Sequence, residues 1–253
     1  MPRSIRSETN DILILDRLFQ KIKEDGNNKS YKLNFENTKF FASELYGYYH
    51  FKVNELKKYN IEIIVINVHE DVDAAMHLTV KYKDEPSPRY LSAIYSKNFS
   101  DDLNNENYDC FDLYLKKEFL PKCINNKFIE DLISPHLSEL FVNARTHGKT
   151  NNIICGGQIY SKIKKIKFVI VDFGVTIPYN ISNHKINNKE NYFNDNDSGA
   201  IKWATMQGNT TKIEKIGGLG LAFITNFLDE NKGRIQIISR RGSYEYSNKK
   251  GKL

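Results

Sequence analysis

In the stretch DILILDRLFQKIK, apolar residues recur at Ile12, Leu15, Leu18, Phe19 and Ile22. That is the spacing of one helix face, and it predicts a helix from Asp11 to Lys23. YKLNF, Tyr31 to Phe35, predicts a short strand. SELYGYYHFKVNELKK, Ser43 to Lys58, predicts a second helix with Ser43 as its N-cap. The β-branched run IEIIVINV, Ile61 to Val68, predicts a buried strand, and EDVDAAMHL, Glu70 to Leu78, a further short helix. Strands alternating with helices in this way describe a small α/β module.

Turn-forming DEPSP at residues 84–88 interrupts the pattern, and the polar stretch 99–107 predicts a loop. A second region begins near Tyr108. It contains a long amphipathic helix, a glycine turn and the strand KFVIVDFG, Lys167 to Gly174. A polar loop, a glycine cluster, another helix and the strand GRIQIIS, Gly233 to Ser239, follow. The expected organisation is therefore an α+β chain with an N-terminal α/β module over 1–107 and a second domain over 108–253. Between Asn187 and Asp197 the sequence is rich in Asn and Asp and low in complexity.

Composition narrows the class. The chain has 253 residues, with 15 Phe and 15 Tyr, enough aromatic surface for a core that a disordered chain would lack. Its formal charge of +6 is modest, and its lysines are scattered among apolar residues as on a solvated face. Nucleic acid is left open by that charge, but nothing specifies it. The three cysteines, Cys110, Cys123 and Cys155, show no C-x-x-C spacing, which fits a reducing compartment. No leader-like apolar run opens the sequence and none approaches the length of a membrane span, so the expected location is cytoplasmic.

Three stretches carry candidate chemistry. In SPHLSELFVNARTHG, Ser134 to Gly148, the residues Leu137, Leu140, Phe141 and Ala144 form an apolar helix face. Glu139 and Asn143 are four apart and project together from the same helix. A carboxylate can orient or deprotonate water, and a carboxamide oxygen can bind a hard cation such as Mg²⁺. In VIVDFGVTIP, Val169 to Pro178, an apolar strand ends at Asp172, whose carboxylate can accept a hydrogen bond from an exocyclic amine. Gly174 beside it leaves room for a flat ring. In IGGLGLAF, Ile216 to Phe223, Gly217, Gly218 and Gly220 lead into a helix with Leu221, Ile224 and Leu228 at helical spacing. A glycine loop entering a helix N-terminus suits an anion.

In this order, E-x-x-x-N helix, D-x-G strand end and glycine loop, the segment from Asp131 to Gly242 resembles the nucleotide site of the GHKL ATPases (the histidine-kinase-like superfamily). That superfamily includes DNA gyrase, heat-shock-90 chaperones, histidine kinases and the MutL proteins. NKGRIQIISRRG is similar to its last conserved strand, with Gly233, Ser239 and Gly242 in place. The resemblance implies a Bergerat-type α/β sandwich over 108–253, with a mixed sheet and helices on one face. It implies ATP and Mg²⁺ as cofactors, with Glu139 as the general base and Asn143 as the metal ligand. Asp172 would contact the adenine amine, Gly174 would admit the base, and Thr176 would stand where the family commonly has a second glycine. Gly217, Gly218, Leu219 and Gly220 would form the phosphate loop. AIKWATMQGNTTK, Ala200 to Lys212, falls where the family has its ATP lid, and Asn209, Thr210 and Thr211 would donate to phosphate oxygens. His147 falls where several members keep a basic or polar residue near the phosphates, and reads equally as a helix C-terminal histidine favoured by the dipole. Lys212 and Lys215 are within reach of the γ-phosphate from the lid but read first as solvated lysines. The N-terminal module loosely resembles STAS domains in element order.

The resemblance implies an ATPase whose lid closure signals to a protein partner, with a homodimer through the ATPase domain left open. A serine/threonine kinase of the anti-sigma type and a non-hydrolysing ATP sensor are the alternatives. Two motif readings fail. NARTHGKT, Asn143 to Thr150, has Asn143 where a Walker A loop needs its first glycine and follows a helix. DFG, Asp172 to Gly174, has no H-R-D loop upstream, as a protein kinase would.

Overall fold

The predicted helix face of Ile12 to Ile22 forms α1, Thr9–Glu24, in a computed structural model of the chain. The structure describes residues 1–6, 8–42, 45–77, 94–98, 109–123, 127–150, 152–160, 165–187, 196–206, 208–209 and 220–248. The fold is mixed α+β, and the chain divides into two compact units. One comprises residues 1–98, 117–125 and 154–171, and the other 99–116, 126–153 and 172–253. The expected boundary at 107/108 lies outside the described residues, as does the predicted turn at 84–88.

In the first unit, β1 (Ser4–Ile5) pairs in parallel with β3 (Phe40–Phe41), and β2 (Ser30–Asn34) pairs in parallel with β4 (Glu62–Ile66). β2 and β4 lie where their apolar runs predict. β1 and β3 are two residues each, too short to leave a periodic signal. Leu15, Phe19 and Ile22 from α1 enter one core with Leu33, Phe41, Leu56 and Ile61. Tyr49, on α2 (Tyr46–Lys57), sets its ring edge-on to Phe19 and Phe41 at centroid distances of 5.9 and 6.0 Å. The predicted cap Ser43 is outside the described residues; Leu45 precedes α2, with no side-chain cap. Polar ties hold α1 to α2: Lys23 Nζ lies 2.7 Å from Glu55, and Asp16 receives Lys52 at 2.7 Å and the Tyr48 hydroxyl at 2.8 Å. Val72 and Met76 bury α3 (Glu70–His77) against the same core.

A three-stranded sheet, ordered β5 (Ile94–Asn98), β6 (Ile153–Tyr160), β7 (Lys165–Asp172), also belongs chiefly to the first unit. β5 and β6 run antiparallel with Ser96 opposite Gly156. β6 is not foreseen by the hydrophobic pattern, because its central Gly156 and Gly157 interrupt it. Gly157 has a packing reason: a Cβ there would sit 2.7 Å from the Lys167 carbonyl oxygen and against the Phe119 ring. Phe119 packs edge-on to Phe168 at 4.9 Å.

The second unit is built on the long helix. α4 (Asp109–Tyr114) runs through a π-helical turn, Leu115–Phe119, into α5 (Leu120–Cys123), whose residues group with the first unit from 117 onward. α6 spans Lys127–Gly148 and contains Pro135. Leu137 and Phe141 are buried as the spacing predicts, and Phe141 stacks on Phe111 of α4 at 4.2 Å with the rings 4° from parallel. The polar stretch after β7 is not wholly a loop: α7 spans Ile177–Asn187, with Pro178 in its first turn, where a missing N–H does no harm. α8 (Asp197–Thr205) is capped by Asn196, whose Oδ1 accepts from Gly199 N at 2.9 Å. α9 (Gly220–Glu230) buries Ile224 and Leu228.

β8 (Arg234–Ser239) pairs with β9 (Gly242–Ser247) in an antiparallel hairpin, which supplies a strand after Ser239. A Cβ on Gly242 would fall 2.6 Å from Ser198 N, so the start of β9 lies against the start of α8. Among the described residues no helix is long and apolar enough to cross a membrane.

Candidate functional site

Glu139 and Asn143 meet on α6 as their spacing predicts. Asn143 Nδ2 donates to Glu139 Oε1 at 3.2 Å. Glu139 is exposed and Asn143 half-buried. With its amide N–H turned to the carboxylate, Asn143 presents Oδ1 as the remaining acceptor, the atom a hard cation would take.

The C-terminal end of the same helix meets the Asp172 segment. A helix leaves its last carbonyls without intrahelical donors. Here two of them find donors in the residues after β7. Val175 N donates to Gly148 O at 2.7 Å, and Asn180 Nδ2 donates to His147 O at 2.6 Å. Phe173 N donates to Asn152 O at 3.2 Å. The approach is so close that a Cβ on Gly174 would overlap Gly148 O and lie 2.6 Å from the Gly148 carbonyl carbon. A Cβ on Gly148 would in turn fall 2.8 Å from Asp172 Oδ1. The D-x-G glycine therefore has an immediate steric reason in the backbone: the space its missing Cβ leaves is taken by the Gly148 carbonyl. The left-handed residue that follows α6 is Lys149, at φ 50°.

Asp172 Oδ1 accepts from Gly174 N at 3.2 Å. Desolvation pushes the Asp172 carboxyl above its ordinary value of 3.8, and the Gly174 N–H pulls back only in part. The residue as a whole remains exposed, so solvent tempers that push. Thr176 O accepts from Asn180 N at 3.0 Å, and Ile177 N donates to Ser239 Oγ at 3.0 Å. Val175, Thr176, Tyr179 and Arg240 line an open cleft of about 490 Å³. Arg240 adopts φ 58°, and its guanidinium lies 3.7 Å from Asp197.

The stretch expected to be the lid begins as helix, since α8 covers 197–205. Asn209 follows it, and its Nδ2 donates to Trp203 O at 2.8 Å, closing the helix end. Thr210, Thr211, Lys212, Lys215, Gly217, Gly218 and Leu219 lie outside the described residues. Gly220 is the first residue of α9. The Walker-like residues 143–148 are helical, consistent with rejecting that motif.

Two positions here carry more than their sequence suggests. Gly148 gave one faint signal, a glycine directly at a helix end. Asn180 gave none, since its partner is a backbone carbonyl 33 residues away. Among the described residues no group of three or more His, Cys, Asp or Glu could hold a metal ion. Mg²⁺ bound to phosphates needs only one or two protein oxygens, and the Glu139–Asn143 donor set fits that demand. No protein-family model matches the chain, no curated protein matches it, and no solved structure matches it.

Proposed function

We propose that the chain is an ATP-binding protein of the histidine-kinase-like type, which hydrolyses ATP with Mg²⁺ and couples lid closure to a protein partner. One observation carries the reading: the helix bearing Glu139 and Asn143 is capped by Val175 N and Asn180 Nδ2, from the residues that follow Asp172–Gly174. Residues suited to water and cation thus share one helix with the anchor of the base-reading carboxylate. In this reading residues 108–253 form a Bergerat-type sandwich and the N-terminal module is STAS-like. In this reading the protein works in the cytoplasm.

Each residue has a defined task. The Asp172 carboxylate accepts from the adenine amine. Its raised proton affinity is a consequence of desolvation, which also strengthens a hydrogen bond made there. Glu139 takes a proton from water as the water attacks the terminal phosphorus, whose bond to the β-phosphate oxygen breaks and releases ADP. Asn143 Oδ1 would hold Mg²⁺, which would supply charge neutralisation at the phosphates. Gly217, Gly218, Leu219 and Gly220 would supply backbone N–H groups, and Thr210 and Thr211 would reach the phosphates from a lid whose start Asn209 holds through Trp203 O.

Incubation with γ-labelled ATP and Mg²⁺ tests the proposal. Label released as free phosphate, and lost in Glu139→Gln, is expected. Label transferred to a protein assigns a kinase, and tight binding without turnover assigns a sensor. No measurable ATP binding by calorimetry rejects the nucleotide site.

A further inference from the structure

We propose that Asn180 is a positioning residue for base recognition, clamping the Asp172 segment to the end of α6. The inference rests on the nucleotide-binding reading and assigns a residue that makes no direct contact in it.

Asn180 bridges two backbones. Its side-chain Nδ2 donates to His147 O at 2.6 Å, at the last turn of α6. Its own backbone N donates to Thr176 O at 3.0 Å, the opening i→i−4 bond of α7, so the side chain ties the first turn of α7 to the end of α6. The carbonyl it reaches is one a helix end leaves without a donor, so the bond replaces water or a cap residue. Asn180 itself is half-buried, which limits competition from solvent.

The loop has other tethers, from Val175 N to Gly148 O and from Ile177 N to Ser239 Oγ. Loss of the Asn180 bond therefore leaves the segment attached but free to rotate about its remaining anchors. The Asp172 carboxylate stands at the start of that segment, and a hydrogen bond to a base edge weakens steeply with misalignment. A clamp of this kind affects base selection more than phosphate binding.

The test compares ATP with inosine triphosphate, which carries a carbonyl where adenine carries its amine and has the same phosphates. Asn180→Asp keeps the size of the side chain and removes the donor; Asn180→Ala is the second variant. Both are first checked for an unchanged circular dichroism spectrum and a cooperative melt. The wild-type chain is expected to prefer ATP. Each folded variant is expected to bind ATP about tenfold more weakly, with inosine triphosphate affinity moved by less than about twofold. Equal weakening of both nucleotides assigns Asn180 a purely structural role and overturns the proposal. An unchanged preference for ATP overturns it too, while leaving the nucleotide site standing. A wild-type chain that binds neither nucleotide removes this inference and the proposed function together.

Discussion

Gly174 lies against Gly148 so closely that neither position accommodates a side chain without movement: a Cβ on the first would overlap the carbonyl of the second, and a Cβ on the second would sit 2.8 Å from Asp172 Oδ1. This pair joins the end of α6 to the turn after β7. It places the Asp172 turn on the helix that carries Glu139 and Asn143.

Gly174→Ala should be strongly destabilising, because the obstacle is backbone and cannot rotate away. The expected loss is about 3 kcal/mol or more, read as a lower denaturant midpoint. Gly148→Ala should lose less, since the Asp172 side chain it meets can shift. Equal stability of Gly174→Ala and wild type would show that the two backbones separate readily.

Lys149→Gly should move stability the other way. Lys149 adopts φ 50°, a conformation that glycine reaches without steric cost. A gain of about 1 kcal/mol in urea unfolding is expected. A loss would mean that the lysine side chain makes a contact that outweighs the strain.

Asp172 gives the stability a pH dependence. Its folded carboxyl binds a proton more tightly than the unfolded one, so the native state holds more protons from the ordinary value of 3.8 up to its raised value. Stability contributed by this group therefore falls as pH rises through that window. Above the window the charged, desolvated carboxylate persists as a destabilising feature. Asp172→Asn removes it, so the variant should gain on wild type with rising pH and then level off. Paired urea titrations across the acid range measure this, and a variant that loses stability relative to wild type as pH rises contradicts it. ATP binding should behave oppositely, strengthening with pH as the carboxylate forms, and should drop sharply in Asp172→Ala.

Glu139→Gln separates binding from turnover. The variant keeps a hydrogen-bond acceptor for Asn143 Nδ2 but cannot take a proton at neutral pH. Its ATP affinity should stay within about threefold of wild type while phosphate release falls by about 100-fold or more. Retained turnover would remove Glu139 as the base.

Phe141→Ala tests the core beneath the site. Phe141 is 1 % exposed and stacks on Phe111 at 4.2 Å. Its removal should destabilise by about 3–5 kcal/mol. Thermal melting of the variant checks this, and a melting point near that of wild type would mean that neighbouring side chains refill the space.

Local pattern alone was enough to determine α1, α3, β2, β4, β7, α9 and β8, because their apolar residues recur at helix or strand spacing, whereas α2 has no apolar face to announce it. It also determined that Glu139 and Asn143 meet, since four residues make one helical step. The short strands β1 and β3 were not legible, because pairing rather than periodicity creates them. Glycine-interrupted β6 and polar α7 were hidden for a similar reason: their neighbours compensate for weak local preference. Only the tertiary structure decided that Val175 and Asn180, just after the Asp172 turn, cap α6. That contact depends on carbonyls freed by the end of one helix and on donors from a segment more than 20 residues later. Backbone groups look the same in every residue, so no pattern of side chains announces which of them will meet.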